Sequence, residues 1–434
     1  TIIFATHLRL FNMEQLLQYV WKHKIFPLKE LKTTAGQQLE IIDTGLHNQN
    51  AGPDFFNAKI KLDGVLWVGN VEIHTNSSDW NKHKHHMDAA YNNVILHVAS
   101  HIDTEICQSN GEFIPQLQLD CPEHIKNNFE ELSQTDNYPP CYRIIPSLSS
   151  FTVHSWMSAL QMERFEQKNA QLAQRLKLCN NHWEDAFFVT LARNFGFGLN
   201  GDAFETWAQL IPLRAVDKHR DNLFQVEAIF FGQAGILSDK DGDEYYLKLK
   251  REYEYLAHKF DLRPMDVTRW RFLRLRPNNF PHIRIAQLAC LYHRAYGLLS
   301  QLMEKNSLKE IRDILRGGTS EYWLNHYVFG GSCTSRPKTL SDSSIDLLII
   351  NTVVTFLYAY GIHQGKEELC LRATTFLEEL KPENNYIIRM WSQCGLKVNH
   401  AGDSQALIQL KKEYCDKKKC LYCRIGYEYL KRKQ

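Results

Sequence analysis

The hydrophobic pattern of this chain changes once, and that change limits the possible folds more than any other feature of the sequence. Residues 1–132 mix short apolar runs of strand length with helical segments, whereas the segments from residue 151 onward repeat their apolar residues with a helical period. Between them, residues 133–150 include a polar stretch closed by Pro139 and Pro140, which is typical of a linker. We therefore predict an α/β domain over residues 1–132, a linker over 133–150 and a large all-α domain over 151–434.

The amino-terminal domain is predicted to contain a mixed sheet with helices packed against it. One helix is expected to begin near Met13 and another to run from Ser78 to Tyr91, while residues 1–12 are expected to be an extension with little structural role. A hairpin is indicated by Asp63-Gly64 between two strand-like runs. The strands are predicted at Leu39–Asp43, Phe55–Leu62, Val65–His74, Val94–Val98 and Phe113–Leu119.

Composition excludes several classes of protein. With 44% hydrophobic residues the chain is not disordered, and with 51 Lys and Arg against 49 Asp and Glu it is not a wholly basic coat protein of nucleic acid. No run reaches the roughly 18 apolar residues that span a bilayer, and the first nine residues do not resemble a signal peptide. Eleven cysteines then indicate a reducing compartment. We expect a cytoplasmic protein without membrane contact, and the sequence leaves its oligomeric state open.

Two carboxylates and a histidine flank the predicted hairpin. Glu72 and His74 are two residues apart on a predicted strand, so their side chains share a face. Asp54 directly precedes the strand before it. Two adjacent carboxylates are typical of a site for a hard divalent cation, because the cation relieves their mutual repulsion. At the edge of such a site, His74 would orient or deprotonate a water molecule.

The length of the hairpin loop decides whether Asp54 meets Glu72. A two-residue loop formed by Asp63 and Gly64 sets Asp54 opposite Ile73. A three-residue loop, with Gly64 as a bulge residue, shifts the register by one position and sets Asp54 opposite Glu72. In both cases the even-numbered apolar residues of the first hairpin strand predict its buried face, which comprises Phe56, Ala58, Ile60 and Leu62.

This hairpin resembles the PD-(D/E)xK nuclease superfamily. The motif appears as Pro53-Asp54 and Glu72-Ile73-His74, with His74 in place of the lysine of the superfamily. The resemblance covers about residues 12–120 and implies a Mg²⁺ or Mn²⁺ ion on Asp54 and Glu72, with nucleic acid as substrate. It also implies a supporting acid on the first helix, for which Glu14 is the candidate. His74 would take the role of the lysine or act as a base.

The same region also resembles an uncharacterised bacterial family of unknown function, and this second resemblance extends along most of the chain. It carries no activity with it, so only the nuclease resemblance implies a chemistry. The segments that carry it are Gly52-Pro53-Asp54-Phe55, Val71-Glu72-Ile73-His74, Ser78-Asp79-Trp80 and Tyr91–Val98.

Histidines are concentrated between residues 74 and 101, where six of the nineteen lie. His83 and His85, with Asp88 nearby, are candidate ligands of a transition metal, because imidazole suits Zn, Mn and Fe. If this segment is helical, His83 and His86 share a face and His85 diverges from it. His97 lies within an apolar strand and is expected to be a core residue.

Three cysteines close to the carboxyl end have the spacing of metal ligands. Cys420 and Cys423 form a Cys-x-x-Cys motif, and Cys415 lies five residues before it. Three thiols within nine residues predict a Zn²⁺ site, with an iron–sulfur cluster as the alternative, and Cys394 or His400 would supply a fourth ligand.

A basic segment in the predicted all-α domain indicates contact with nucleic acid. Arg269, Arg271, Arg274 and Arg276 are interleaved with the aromatic residues Trp270 and Phe272, and Phe280 follows them. Guanidinium groups bind phosphates in a bidentate manner. We expect these arginines to line the same groove as Asp54.

Together these features predict a divalent-metal-dependent, nuclease-like protein that hydrolyses nucleic-acid phosphodiesters. A first alternative is a non-catalytic nucleic-acid-binding protein with a degenerate nuclease fold. A second is a metalloenzyme that uses the histidine cluster on a small substrate. Metal-dependent cleavage that is lost in Asp54→Ala would exclude the first alternative, and elemental analysis would address the second.

Overall fold

A computed structural model describes residues 13–28, 30–48, 50–133 and 139–433. The expected extension at residues 1–12 and the central part of the expected linker, 134–138, lie outside the described residues. The chain divides into two compact units, one formed by residues 1–153 and 411–434 and the other by residues 154–410. The first unit carries a mixed sheet with flanking helices and the second is mainly helical, so the prediction of an α/β part followed by an all-α part is confirmed.

The sheet of the first unit has the order β1-β3-β4-β5-β6, with β2 paired to β3. Its strands are β1 (Leu39–Asp43), β2 (Leu46–His47), β3 (Phe55–Leu62), β4 (Val65–Asn76), β5 (Val94–His101) and β6 (Gln116–Gln118). The pairs made by β3 are antiparallel, whereas β4, β5 and β6 run parallel to one another. The central strand β4 therefore joins an antiparallel half of the sheet to a parallel half.

The hairpin between β3 and β4 contains both a tight turn and a bulge. Asp63 and Gly64 have φ angles of 49° and 84°, as a two-residue turn of this kind requires. Further along β3, Asn57 is left-handed, with φ 56°, and the register shifts by one residue between Phe55 and Ala58. The predicted buried face is therefore correct from Ala58 onward, but Phe55 is buried in place of Phe56 because the bulge reverses the alternation.

The helices of the first unit that precede residue 134 are short. They comprise α1, described over residues 13–22, α2 (Asp79–Lys82) and α3 (Glu123–Ser133). The predicted helix from Ser78 to Tyr91 is wrong, because Lys84 adopts the left-handed conformation and stops α2. Two 3₁₀ turns, His85–Met87 and Ala89–Tyr91, follow it.

The second unit packs its helices around one large apolar core. Its helices are α4 (Ser150–Leu178), α5 (Trp183–Phe195), α6 (Gly201–Gln209), α7 (Leu213–Lys218), α8 (Leu223–Gln233), α9 (Glu244–Phe260), α10 (Pro281–Arg294), α11 (Leu298–Glu304), α12 (Leu308–Leu315), α13 (Asp342–Leu348), α14 (Val354–Gln364), α15 (Glu367–Glu379), α16 (Tyr386–Gln393) and α17 (Ala401–Gln409). A two-stranded hairpin, β7 (His326–Val328) and β8 (Gly331–Ser332), lies between α12 and α13.

One helical stretch is an exception to the expectation that no segment could span a membrane. Asp342–Gln364 is long and apolar enough by length and composition, and a π-helical segment joins its two helices α13 and α14. However, 72% of its most apolar stretch of 18 residues is buried inside the structure. Such burial is typical of a core helix in a soluble protein.

The carboxyl-terminal residues do not belong to the helical unit, although the all-α domain was predicted to extend over residues 151–434. Residues 411–434 group with the α/β unit, where α18 (Arg424–Leu430) packs against α3 and against a 3₁₀ helix at Pro140–Ser147. That 3₁₀ helix buries apolar side chains, so this part of residues 133–150 is ordered structure and not a free linker. The α/β unit is thus built from both ends of the chain.

Candidate metal centre

The bulge at Asn57 brings two carboxylates together. The register shift places Asp54 beside Glu72, where the backbone N–H of Asp54 donates a hydrogen bond to Glu72 Oε2 at 3.0 Å. In return, the backbone N–H of Ile73 donates to Asp54 Oδ2 at 3.0 Å. Asp54 and Glu72 are therefore adjacent, as one of the two predicted registers requires. A two-residue turn combined with a bulge produces this register, whereas the prediction had attributed it to a three-residue loop.

Helix α1 contributes a third carboxylate and an amide to this place. Glu14 lies close enough for its charge to raise the pKa of Glu72, and Gln18 hydrogen-bonds Asp54 through its side chain. Because Glu14 and Gln18 are four residues apart on a helix, they lie on the same face. Glu14 was predicted from the sequence as the supporting acid, whereas Gln18 was not.

Burial and mutual repulsion keep these carboxyl groups protonated at a higher pH than usual. Burial, and then the charge of Glu72, raises the pKa of Asp54 to about 8. Burial raises the pKa of Glu72 to about 8 as well, and that of Glu14 to about 7. Partly buried carboxylates that repel one another favour a bound cation, which would compensate their charge.

Three histidines meet beside the carboxylate pair. The Nε2 atom of His74 lies 3.2 Å from His83 Nδ1, and one ligand atom from each of His74, His83 and His85 lies within 4.8 Å of the others. Glu72 Oε1 is 3.6 Å from His74 Nε2 and 3.3 Å from His85 Nε2. We call the group formed by His74, His83, His85 and Glu72 the candidate metal centre.

These distances suit a transition metal. A tetrahedral ion with bonds of about 2.0–2.1 Å has ligands separated by about 3.3 Å, which agrees with the shorter separations in the candidate metal centre. Three imidazole nitrogens and one carboxylate oxygen are a donor set typical of Zn²⁺, Mn²⁺ or Fe²⁺, whereas Mg²⁺ prefers oxygen ligands alone. Of the ions that the nuclease resemblance implies, Mn²⁺ therefore fits these residues better than Mg²⁺.

The left-handed conformation of Lys84 explains how His83 and His85 converge. Its φ of 64° reverses the chain between them, so both side chains lie near His74, which the helical interpretation did not predict. Asp88 was predicted as a further ligand, but its carboxylate accepts a hydrogen bond from the backbone N–H of Ala90 and caps the next 3₁₀ turn.

Behind the candidate metal centre, His97 supports His74. The Nδ1 atom of His74 lies 2.8 Å from His97 Nε2, and both side chains are buried. His97 therefore contacts a candidate ligand, whereas its apolar neighbours in the sequence had indicated only a core residue. Tyr91 stacks on the His85 ring with a centroid distance of 3.9 Å, and the Trp80 ring meets His85 edge-on.

Burial holds these imidazoles in their neutral form. Burial, and then the charge of His85, lowers the pKa of His97 to about 3. Burial and then the neighbouring histidines lower the pKa of His74 well below its ordinary value. A neutral imidazole is the form that binds a metal ion. His74 therefore cannot supply the permanent positive charge of the lysine that it replaces in the nuclease motif.

The predicted carboxyl-terminal cysteine ligands lie in the α/β unit, together with Cys141. The two residues predicted to complete their site lie in the helical unit instead. There His400 caps α17 by accepting a hydrogen bond from the backbone N–H of Asp403, and burial alone raises the pKa of Cys394.

The four predicted nucleic-acid contacts are exposed in the helical unit. Arg269, Arg271, Arg274 and Arg276 lie on a segment of short turns between α9 and α10. Their expected position in the same groove as Asp54 stays a prediction.

The fold and these side chains define a two-unit protein whose mixed α/β unit carries a histidine- and carboxylate-lined candidate metal centre. The chain belongs to DUF2851, a family of proteins of unknown function, whose family profile matches residues 14–386. This match agrees with the expected resemblance to an uncharacterised family. Searches of curated proteins and of solved structures found no match.

Proposed function

We propose that this protein is a divalent-metal-dependent hydrolase of nucleic-acid phosphodiesters, with the ion held at the candidate metal centre. The observation that carries the proposal is the convergence of three imidazole nitrogens, two of which, on His74 and His85, lie 3.6 and 3.3 Å from the buried carboxylate of Glu72. Asp54 and Glu14 lie beside Glu72. A divalent ion bound there would supply Lewis acidity to a phosphodiester and to an attacking water molecule.

Each side chain has a separate role in this proposal. Glu72 and the three histidines bind the ion, and His97 orients His74. Asp54, which lies beside Glu72, would act as the general acid or base. The exposed side chain of His83 leaves this side of the centre open to substrate.

The nuclease resemblance supports the choice of a phosphodiester. It implies an acid on the first helix, an aspartate before a hairpin strand and a glutamate on the next strand, and Glu14, Asp54 and Glu72 hold these positions. The exposed arginines between α9 and α10 offer phosphate-binding groups of the kind that a polyanionic substrate needs. The cytoplasmic location expected from the cysteine content also stays a prediction.

The test is metal-dependent cleavage of DNA and RNA by the purified full chain. We expect cleavage with Mn²⁺ or Zn²⁺ that is abolished by a chelator and by Asp54→Asn. We expect His83→Ala to lose both activity and bound metal without unfolding, because His83 is exposed, whereas His101→Ala, also exposed, serves as the matched control. Full cleavage by Asp54→Asn and His83→Ala would contradict the proposal, and metal binding without cleavage of any substrate would favour a non-catalytic binding protein.

A second candidate function is favoured by the donor set itself. Three imidazoles with one carboxylate are also typical of metalloenzymes that act on small molecules. Hydrolysis of a small phosphodiester such as bis(4-nitrophenyl) phosphate, without cleavage of DNA or RNA, would favour this candidate.

A further inference from the structure

One part of β4 extends beyond its neighbour in the sheet. Residues 65–69 pair with β3 on one side, whereas pairing with β5 on the other side begins only at Asn70, opposite Val94. Successive side chains of a strand point to opposite faces, and here both faces are exposed. The side chains concerned, with exposed fractions of 45% to 61%, are those of Val65, Leu66, Trp67 and Val68. We call these four residues the β4 edge.

The hairpin register decides which backbone groups of the β4 edge have no partner. The two-residue turn makes Val65 part of a hydrogen-bonded pair, so every second residue from Val65 directs its N–H and C=O groups toward β3. Leu66 and Val68 therefore direct theirs away from β3. Asn70 has the same parity, because its N–H donates to the Asn93 carbonyl at 2.8 Å. Within the described part of the chain, no backbone group pairs with Leu66 or Val68 on that side.

A groove of about 1440 Å³ adjoins the β4 edge, and all of its lining residues belong to the α/β unit. Its apolar lining includes Trp67, Ile95 and Phe113. Its charged lining residues are all acidic and exposed, and they are Asp103, Glu105 and Glu112. Because no lysine or arginine is among the described lining residues, the groove favours a positively charged occupant.

We propose that the β4 edge binds an extended, basic peptide segment of a partner protein. The peptide adds to the sheet as a strand, in the place beside β4 that β5 leaves empty before Val94. The N–H and C=O groups of Leu66 and Val68 form hydrogen bonds with its backbone. Alternate side chains of the peptide contact the apolar lining of the groove, and its lysines or arginines lie near the three carboxylates. This function is separate from the proposed phosphodiester hydrolysis and does not depend on it.

The composition of the β4 edge and the charge of its groove select this occupant. Exposed strand edges are commonly protected from pairing by a charged residue or a proline, and the β4 edge contains neither. An acidic groove repels the phosphates of a nucleic acid. A second copy of this chain fits less well, because edge-to-edge pairing would bring two acidic grooves side by side. A basic peptide instead satisfies both the unpaired backbone groups and the carboxylates.

The experiment measures binding of a fluorescent peptide of alternating lysine and valine to the full chain by anisotropy. We expect saturable binding, and at least about tenfold weaker binding of the same peptide with glutamate in place of lysine. Val68→Pro should weaken binding of the lysine peptide at least about tenfold, because the N–H that it removes points away from β3. Val68→Thr, which keeps this N–H, is the matched control and should bind as the unmodified chain does.

A second variant tests the charge of the groove without changing the backbone of β4. Glu105→Gln combined with Glu112→Gln replaces two exposed carboxylates, so the lysine peptide should bind more weakly and with less dependence on salt. This variant decides the matter if Val68→Pro does not fold.

Three results would each overturn the proposal: no saturable binding of the lysine peptide, equal binding of the two peptides, or unchanged affinity in a folded Val68→Pro chain and in the double glutamine variant. Sedimentation of the unmodified chain alone provides a further check. A dimer that forms with rising concentration and is lost in Val68→Pro would show that a second copy occupies the β4 edge instead. None of these results alters the test of the proposed hydrolase, which depends on other residues.

Discussion

The hydrogen bond between His74 and His97 decides which ring nitrogen of His74 faces the candidate metal centre. If Nε2 binds the ion, Nδ1 carries the proton and donates it to His97 Nε2, which lies 2.8 Å away. Partners of this kind fix the tautomer of a metal ligand, and their loss commonly costs about 10–100-fold in metal affinity.

We therefore expect His97→Phe to weaken metal binding by about 10–100-fold while the fold is retained, because phenylalanine fills the buried site without accepting a hydrogen bond. His97→Gln, which keeps an acceptor, should bind metal more tightly than His97→Phe. Calorimetric titration with Zn²⁺ and Mn²⁺ measures both variants. Equal affinities in the two variants and the unmodified chain would show that His97 is only a packing residue.

The raised pKa of Asp54 predicts how the metal-free protein responds to pH. The folded state keeps the Asp54 proton up to about pH 8, whereas the unfolded chain releases it near pH 3.8. Unfolding therefore releases a proton between these values, and stability falls as the pH rises. Below about pH 6.5, the histidines with lowered pKa destabilise the unmodified chain and an Asp54 variant alike.

Asp54→Asn removes the ionisable group, so we expect its stability relative to the unmodified chain to increase from pH 5 to pH 8. The expected gain is at least about 1.4 kcal/mol, the equivalent of one pKa unit. Urea denaturation at both pH values, with a chelator present, measures it. If the difference in stability between Asp54→Asn and the unmodified chain is the same at both pH values, the raised pKa assigned to Asp54 is wrong.

Some of these residues could be identified from the sequence and others could not. Asp54, Glu72 and His74 belong to a local motif, and only the alternation of one hairpin was needed to relate them. Gln18 and His97 reach the site from a helix and from a parallel strand, so their roles depend on packing that no short pattern encodes.

The contact between Asp54 and Glu72 depends on the register of the β3–β4 hairpin. Without the bulge, the two-residue turn would set Asp54 opposite Ile73, and the left-handed residue Asn57 supplies the necessary shift. The sequence predicted the exact bounds of β1 and β3 because alternation identifies strands. It did not predict the bulge or the break at Lys84, because neither position holds the glycine that usually marks a left-handed residue.

We expect Asn57→Val to reduce the free energy of unfolding by about 1–2 kcal/mol and to weaken metal binding, because a β-branched residue is strained in the left-handed region. Asn57→Gly should preserve both properties. Lys59→Val, an exposed change on the same strand outside the bulge, is the matched control. Denaturation and metal titration of the three variants test this, and a normal Asn57→Val protein would mean that the bulge does not set the register.

At the scale of the whole molecule, the α/β unit is closed by residues from the far end of the chain. The buried side-chain amide of Asn128 on α3 contacts the carbonyl oxygens of Tyr429, Leu430 and Arg432 at 3.3, 3.0 and 2.9 Å. The last carbonyls of a helix have no partner within it, so Asn128 acts as a cap for α18. Neither helix was predicted from the sequence, and no local pattern could predict their pairing, because the sequence between them includes the entire second unit.

We therefore expect Asn128→Ala to lower the stability of the α/β unit by about 1–3 kcal/mol, since it leaves buried carbonyl groups without partners. Asn128→Asp should be more harmful at neutral pH, because it places a carboxylate against carbonyl oxygens, and should recover at acidic pH as it becomes protonated. Asn127→Ala, an exposed change in the same helix, is the matched control. Hydrogen exchange should become faster over residues 424–432 in the Asn128 variants, while the core helix α8 keeps its protection. If residues 424–432 exchange equally slowly in Asn128→Ala and Asn127→Ala, the carboxyl-terminal segment is held by other contacts.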